Sequence, residues 1–314
     1  MRICALAGGV GGAKLVDGLA AILPPSQLSV VVNTGDDFEY LGLQISPDLD
    51  TVCYTLAGIA NPTTGWGQQD ERWVTYNALA SLGGPDWFRL GDRDLATHLF
   101  RTEALRTGQT LSAVTNALCD VWGITHPVFP MSDDPVRTHV QTKAGQDLGF
   151  QEYFVHQACE PAVQGFEFRG AEKAQPLPEA LEALKTADLI VIAPSNPWVS
   201  IGPILAVPGY QDLIQRKPTL AVSPIVGGRA LKGPAAKMYR ELGIAPSATA
   251  VAAQYRDFLT GFVFDKQDAD ELDKIERWRI ISLVTDTVMK AKSDRIRLAE
   301  EILQFGDSVL NRSQ

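Results

Sequence analysis

The sequence is poor in the residues that build metal clusters, with four cysteines and four histidines in 314 residues. Cys4, Cys53, Cys119 and Cys159 form no Cys-x-x-Cys pair, which excludes a zinc cluster and favours free thiols. For the histidines, which are far apart, we expect packing or surface roles. No run approaches the ~18 apolar residues of a membrane span, and no signal-type segment follows Met1. We therefore expect a cytoplasmic protein with no membrane partner.

Positive charge is also scarce, because 28 Lys and Arg stand against 37 Asp and Glu and the formal net charge is −9. This balance argues against a basic nucleic-acid-binding surface, so we expect no nucleic-acid partner. With 45% hydrophobic and 21% charged residues, the composition is that of a globular protein and excludes disordered and collagen-like chains. The length allows one large domain or two moderate ones.

The chain opens with the pattern of a βαβ unit. Apolar residues 3–7 end at a glycine cluster, apolar residues then recur at helical spacing as far as Leu23, and residues 28–32 form a second apolar run. Similar runs return at 188–193, 219–223, 262–264 and 280–284. We predict an α/β fold with a doubly wound, mostly parallel Rossmann-like sheet, formed by residues 1–66 and 187–314 of a single domain.

The segment 67–186 has a different pattern. Helical periodicity runs from residue 69 to residue 123, with Thr110 as a helix N-cap. Two strand-like runs, 136–142 and 148–155, then flank the turn residues 143–147. We predict an inserted helix-plus-hairpin region that belongs to the same compact unit as the sheet.

The glycine cluster after the first strand predicts a phosphate site. Gly8, Gly9, Gly11 and Gly12 lie where a strand passes into a helix, so free backbone amides and the helix dipole favour an anion, and Lys14 adds a positive charge. The spacing fits neither a P-loop nor the dinucleotide fingerprint, which argues against NAD. A tight strand-to-helix turn is the structural alternative.

Polar residues cluster at the end of the second strand and again shortly after it: Asn33, Thr34, Asp36 and Asp37, then Asp48 and Asp50. Carboxylates facing a diphosphate repel it unless a divalent cation lies between them, so we predict Mg²⁺ as cofactor, held by Asp37 and Asp50. Turn formation by Asp36 and helix capping by Asp48 remain equally good explanations of those two residues.

Small polar residues follow two later strands as well. Ser195 and Asn196 stand between two prolines after residues 188–193, and Ser223 ends the run 219–223 with a proline after it. Such placement suits recognition of a base or sugar, although turn geometry alone would explain the prolines. Because several strand ends carry polar residues, we predict one shared cleft. The segments 89–94 and 131–135 face the same choice between substrate contact and local capping.

Several of these segments together resemble the 2-phospho-L-lactate transferase family in order and spacing. The matching segments are 8–15, 33–37, 45–51, 90–94, 131–135, 194–197 and 222–225, with extensions at 257–259 and 286–289. The resemblance covers essentially the whole chain. One departure is Val10, which stands where the family often has threonine.

The resemblance implies an enzyme that transfers a 2-phospholactyl or phosphoenolpyruvyl group from a guanosine diphosphate ester to the ribityl hydroxyl of 7,8-didemethyl-8-hydroxy-5-deazariboflavin. GMP is released in this step of deazaflavin coenzyme biosynthesis. Asp50 and Arg89 fall at the family positions that bind the deazaflavin. We expect Asp37 or Asp50 to orient the attacking hydroxyl, the glycine loop and Lys14 to hold the diphosphate, and the chain to form a homodimer.

The main rival is a non-catalytic, nucleotide-binding regulatory protein of the related gluconeogenesis-factor branch. The segment 46–50 argues against it, because that branch has a differently spaced Pro-Gly-Asp element. A nicotinamide-dependent dehydrogenase is disfavoured by the failed dinucleotide fingerprint. Whether the three-carbon group is lactyl or enolpyruvyl stays open.

Overall fold

The computed structural model describes residues 1–312. The strands are β1 Ile3–Ala7, β2 Leu28–Val32, β3 Phe38–Tyr40, β4 Leu43–Ile45, β5 Val128–Pro130, β6 Arg137–Thr142, β7 Asp147–Gly149, β8 Val163–Arg169, β9 Leu189–Ile192, β10 Thr219–Val222, β11 Ile225–Val226, β12 Arg229–Ala230, β13 Gly261–Asp265 and β14 Ile281–Thr285. The α-helices are α1 Gly9–Ile22, α2 Pro47–Leu56, α3 Val74–Ser81, α4 Asp92–Arg106, α5 Leu111–Val121, α6 Pro178–Thr186, α7 Gly202–Ala206, α8 Tyr210–Ile214, α9 Ala235–Glu241, α10 Ala248–Tyr255, α11 Leu272–Glu276 and α12 Lys292–Arg312.

Seven parallel strands form the central sheet in the order β14-β13-β10-β9-β1-β2-β5. The chain builds outward from β1 in one direction through β2 and β5, and in the other through β9, β10, β13 and β14. The strand order therefore reverses between β1 and β9, which is the switch point where open α/β sheets bind ligands. This architecture confirms the predicted doubly wound, Rossmann-like fold.

The inner strands are apolar on both faces because helices cover both sides of the sheet. Cys4 and Leu6 pack into one hydrophobic core, whereas Ile3, Ala5 and Ala7 pack into the other. α1, α2 and α12 supply residues to the second core. The β1–β2 register pairs Ile3 with Leu28 and continues to Ala7 with Val32, so both strands end at the same edge.

The segment 67–186 needs one correction, because it contributes a strand to the sheet. β5 pairs in parallel with β2, with Val30 opposite Val128, and forms the edge of the sheet beside β2. Three residues are too few to show a periodicity, which is why the pattern analysis missed this strand. The region is therefore not purely an insertion of helices and a hairpin.

The predicted hairpin is present as β6 and β7, but it belongs to a three-stranded antiparallel sheet of order β7-β6-β8. The second strand ends at Gly149, and residues Glu152–His156 form a short π-helix. Phe150 and Tyr153 are both buried, and the Phe150 and Phe154 rings stack with centroids 5.5 Å apart. Spacings of three and four residues belong to a helix, so the prediction of a strand to residue 155 was wrong.

Within residues 1–312, no helix has both the length and the hydropathy needed to cross a bilayer. All four cysteines are free thiols, as predicted, and the Sγ atoms of Cys53 and Cys119 lie 3.8 Å apart between α2 and α5.

Candidate active site

A cavity of about 580 Å³ opens at the switch point between β1 and β9. The glycine loop after β1 and residues 194–196 after β9 line one part of it, and the start of α2 lines another. Ser223 and Pro224, which follow β10, and Thr287, which follows β14, also reach it. The structure therefore brings polar residues at several strand ends into one cleft, as predicted.

The amides at the start of the glycine loop already have protein acceptors. The Gly8 amide donates to Ser195 Oγ over 3.1 Å, and the Gly9 amide donates to Asp48 Oδ1 over 2.7 Å. The next two amides, of Val10 and Gly11, lie in the first turn of α1, where the helix offers no carbonyl one turn earlier. The loop therefore keeps only part of the donor set that the sequence predicts for a phosphate.

Packing explains two of the glycines. A Cβ on Gly11 would collide with the carbonyl oxygen of Pro194, and a Cβ on Gly12 would collide with Ser195 Oγ. These glycines let α1 approach the segment after β9, so the space beside them is filled by protein. Gly12 is buried and stands apart from the described residues that line the cavity.

Asp48 connects three segments at the floor of the cavity. Its carboxylate accepts from the Gly9 amide and, over 2.9 Å, from Asn33 Nδ2. The other polar contacts of Asn33 go to backbone, with Nδ2 donating to Val199 O and Oδ1 accepting from the Gly35 amide. Asn33 therefore holds Asp48 and is not among the described lining residues, whereas Asp48 is. Burial raises the pKa of Asp48 to about 6.

The neighbouring aspartates divide in an order that the sequence did not predict. Asp36 lines the cavity, and its buried Oδ1 has no hydrogen-bond partner among residues 1–312. Burial, and then the charge of Asp48, raise the pKa of Asp36 well above its usual range. Asp37 lies outside the described lining residues and accepts from Ser46 Oγ over 2.8 Å. Burial raises the pKa of Asp37 to about 7.

Helix α4 turns a polar face inward. Asp94, Thr97, His98 and Arg101 are buried on it, while Leu99 and Phe100 are exposed. Ordinary surface helices do the reverse. Asp94 and His98 reach the cavity wall, where Asp50 and Tyr54 of α2 also stand.

Asp50 is tied to this inward face. Both terminal guanidinium nitrogens of Arg101 bind its carboxylate, with Nη1 3.1 Å from Oδ2 and Nη2 on Oδ1. His98 Nδ1 lies 3.7 Å from Asp50 Oδ2, and His98 Nε2 lies 3.5 Å from Asp94 Oδ1. Asp50, Asp94 and His98 can place ligand atoms within 4.8 Å of one another, although Arg101 already balances the charge of Asp50.

Three cationic side chains line the cavity. Lys14 Nζ donates to Met289 O over 2.7 Å, and Lys232 Nζ donates to Thr64 O over 2.6 Å. Burial, and then the charge of Arg295, lower the pKa of Lys14. The guanidinium of Arg89 lies 4.5 Å from the ring centroid of Trp73.

Five large aromatic side chains also line the cavity: Trp66, Trp87, Phe88, Phe150 and Phe154. Trp66 is 44% exposed. The Trp87 and His156 rings stack, with centroids 5.0 Å apart and planes 17° apart. Flat apolar faces beside a cluster of charged groups suit a ligand with both a planar ring and a polar chain.

Comparison with known proteins identifies the family. Residues 3–304 match the family of 2-phospho-L-lactate transferase CofD. The chain belongs to the CofD family. It is 44% identical over 316 residues to the phosphoenolpyruvate transferase of Streptomyces griseus, covering 96% of this chain and 99% of that one. It is 41% identical over 297 residues to the 2-phospho-L-lactate transferase of Methanosarcina mazei, covering 95% and 98%. The predicted resemblance is therefore confirmed.

The CofD chain also resembles two crystal structures of a Bacillus halodurans protein of the UPF0052 family. Their TM-scores are 0.63 and 0.68, with 14% and 16% sequence identity. The comparison covers 96% of this chain in both cases, and 98% and 99% of the other chains. At this identity the likeness concerns the fold alone.

Of the other predicted site residues in this CofD chain, Ser195 and Asn196 line the cavity and Thr34 is buried apart from the described lining. The Ser195 hydroxyl is bound to the Gly8 backbone, and Asn196 Oδ1 accepts from the Trp198 amide. Both side chains therefore hold the loop after β9 in place, which is the turn role that the sequence left open.

The sequence analysis missed Lys232, His98 and Arg101. Lys232 follows a pair of short strands and has no motif around it that indicates a ligand. His98 and Arg101 carried a usable signal, because Asp94, His98 and Arg101 recur at i, i+4 and i+7 on one helix. That spacing places three charged groups on one face.

Replacing Asp37 with asparagine tests the electrostatics of this CofD site. The pKa of Asp37 is raised from 3.8 to about 7 on folding, so the wild-type free energy of unfolding falls as pH rises from about 4 to about 7. Asparagine keeps a side-chain oxygen for Ser46 and carries no charge. We expect the variant to be more stable than wild type at pH 8, on the order of a few kcal/mol, and nearly equal at pH 4.

Denaturant unfolding in the presence of EDTA at several pH values measures this difference. Equal stabilities of wild type and the Asp37→Asn variant at pH 8 would contradict the burial-raised pKa.

Proposed function

We propose that the protein transfers a 2-phospholactyl or phosphoenolpyruvyl group from a guanosine diphosphate ester to the ribityl hydroxyl of 7,8-didemethyl-8-hydroxy-5-deazariboflavin. The observation that carries the proposal is one cavity whose lining contains two unlike sets of residues. The glycine loop, Lys14 and Lys232 form a cationic set, and Trp87, Phe88, Phe150 and Phe154 form an aromatic set with Arg89. The names of the relatives support the transfer of such a three-carbon phosphate group.

The cationic set of residues suits the diphosphate of the donor. The amides of Val10 and Gly11 and the ammonium groups of Lys14 and Lys232 are donors for phosphate oxygens, since each lysine donates one hydrogen bond to a backbone carbonyl and has further N–H groups to donate. A transferred phosphoryl group demands mainly positioning and neutralisation of charge. This set provides both.

The aromatic set of residues suits the deazaflavin ring. Asp50 suits the terminal hydroxyl of its ribityl chain. We assign the planar tricycle to the aromatic wall and Arg89, and the end of the ribityl chain to Asp50. Asp50 orients the hydroxyl oxygen toward the phosphorus that bears the three-carbon group. The new oxygen–phosphorus bond forms, the bond to the bridging oxygen breaks, and GMP leaves with that electron pair while the hydroxyl proton passes to a carboxylate or to water.

The decisive experiment mixes the purified protein, Mg²⁺, the deazaflavin and each donor separately, and detects the adduct and GMP by mass spectrometry. We expect adduct and GMP in equal amounts with at least one donor. Asp50→Asn is expected to lower turnover by about 10²-fold or more. Asp120→Asn, on the exposed side of α5, is the matched control and is expected to match wild type.

Near-normal turnover by the Asp50→Asn variant would remove Asp50 from the mechanism. Tight guanine-nucleotide binding without adduct from either donor would favour the non-catalytic regulatory function instead.

We also propose that Mg²⁺ assists the reaction and that Asp36 and Asp48 hold it, in place of the predicted pair Asp37 and Asp50. Three observations support this choice. Asp36 and Asp48 line the cavity whereas Asp37 is not among the described lining residues, the charge of Asp48 raises the pKa of Asp36, and Arg101 already neutralises Asp50. When bound, Mg²⁺ would neutralise charge on the diphosphate.

The concentration of Mg²⁺ that gives half-maximal activity tests the ligand assignment. We expect Asp36→Asn to raise it at least tenfold, because a charged oxygen ligand becomes a neutral one. Asp37→Asn is the matched control, and its Mg²⁺ dependence is expected to stay within twofold of wild type. The reverse result would restore the pair predicted from the sequence.

We propose further that the chain forms a homodimer through α3 and the outer face of α4. None of the residues of α3 is buried, Val74 and Leu82 are 68% and 85% exposed, and Leu99 of the adjoining α4 is 53% exposed. An apolar patch of this kind is typical of an interface.

Light scattering after size-exclusion chromatography tests the dimer. We expect wild type at twice the mass of the chain and Leu82→Lys at the mass of one chain, because a buried unpaired ammonium opposes association. Val121→Lys, an exposed apolar position on α5, is the control and should stay dimeric. A wild-type monomer at micromolar concentration would end this proposal.

A further inference from the structure

Arg101 is a buried cation for which the proposed reaction has given no role. Only 2% of its surface is exposed, and its guanidinium lies between α4 and α2. Burial alone would lower the pKa of Arg101, but the adjacent Asp50 carboxylate outweighs burial and raises it. Arg101 is therefore a buried cation paired with the Asp50 carboxylate.

Fold stability does not account for this arrangement. Burying two charges costs several kcal/mol of desolvation, and well-packed apolar residues would serve a helix interface as well or better. Helix α4 has such residues, Leu99 and Phe100, but turns them outward. The charged face points instead at the carboxylate that stands in the cavity wall.

The contacts around Arg101 link five side chains in a row, from Asp50 through Arg101, His98 and Asp94 to Tyr54. Arg101 Nη1 lies 3.2 Å from His98 Nδ1, and because a guanidinium nitrogen has no lone pair to offer, Nδ1 accepts and the imidazole proton sits on Nε2. Nε2 faces Asp94, which accepts from Tyr54 Oη over 2.7 Å. Tyr54 lies one helical turn from Asp50, so this row of contacts begins and ends on α2.

We propose that Arg101, supported by His98, is a positioning residue that holds the Asp50 carboxylate in one orientation toward the acceptor hydroxyl. The proposal rests on the proposed function, since it assumes that Asp50 receives that hydroxyl. Arg101 occupies one lone pair of each carboxylate oxygen, which prevents rotation of the group. The remaining lone pairs are left for the acceptor.

The first test separates acceptor effects from donor effects. We expect Arg101→Gln to lower kcat/KM for the deazaflavin at least tenfold, and to leave the dissociation constant of GDP within twofold of wild type. Arg106→Gln is the matched control, because Arg106 is on the same helix, exposed and paired only with Glu103. It is expected to match wild type in both measurements.

The double variant Asp50→Asn with Arg101→Gln addresses folding and mechanism together. Removing both charges avoids the unpaired buried carboxylate that threatens the single variant. If Arg101 acts through Asp50, the double variant turns over within twofold of Asp50→Asn alone. Multiplied losses would mean that Arg101 acts independently, which overturns the proposal.

Chemical rescue provides a readout that a purely structural role would not move. We expect added methylguanidine to restore acceptor turnover in Arg101→Ala at least fivefold, and an equal concentration of methylammonium to restore less, because only the planar fork binds both oxygens. No rescue together with a wild-type KM for the acceptor would refute the positioning role.

Binding of the deazaflavin, followed by its fluorescence, distinguishes failure of this proposal from failure of the proposed function. A wild-type protein that binds the deazaflavin but transfers nothing would contradict the transfer reaction alone. Weaker deazaflavin binding by Arg101→Gln would then still support the positioning role of Arg101. A wild-type protein that does not bind the deazaflavin would end both. Normal transfer by Arg101→Gln would end the positioning role only.

Discussion

The carboxylate of Asp48 is the interaction on which the geometry of the site depends. It accepts one hydrogen bond from the Gly9 amide, after β1, and another from Asn33, after β2. Asp48 itself lies in the first turn of α2. One buried side chain thus sets the distance between two strand ends and a helix. Since Asp50 lies two residues further along α2, its position follows from the same anchor.

Charge inside the cavity is handled in two different ways. Asp50 is matched by a guanidinium on both oxygens, so its charge is balanced within the protein. Asp36 and Asp48 face one another's charge without a cationic side chain in hydrogen-bonding contact, and burial raises the pKa of both. A site of this kind has a lasting preference for a cation or a proton between its carboxylates. Asp48 and Asp50, both in the first turn of α2, therefore differ in how their charge is balanced.

Much of the fold could be predicted because the sheet is buried on both faces. A strand in that position must be apolar along its whole length, and β1, β2, β9, β10 and β13 are runs of this kind that stand out in the sequence. β5 was not predicted because it has only three residues. β8 was not predicted because its residues do not alternate regularly between buried and exposed positions. The strand predicted to continue to residue 155 was wrong because the apolar residues at 150, 153 and 154 fit a buried helical turn equally well.

Within the site, the sequence identified the segments better than the atoms. The glycine loop, the aspartate cluster and the residues after β9 were all predicted to meet, and they do. The prediction favoured Asp37 over Asp36, yet adjacent residues leave a turn in opposite directions, and local spacing contains no information about which one faces the cleft. Likewise, the glycines at 11 and 12 make room for the chain at 194 and 195, which is 183 residues away in sequence.

The amino-acid sequence by itself determined the α/β class, the position of the glycine loop and the family, because apolar periodicity and motif order are properties of the chain alone. Tertiary structure decided which charges meet. Arg101 and Asp50 are 51 residues apart and belong to different helices, and no pattern along the chain couples them. Their pairing arises only when α4 packs its polar face against α2, since ion pairing depends on distance in space and not on separation in sequence.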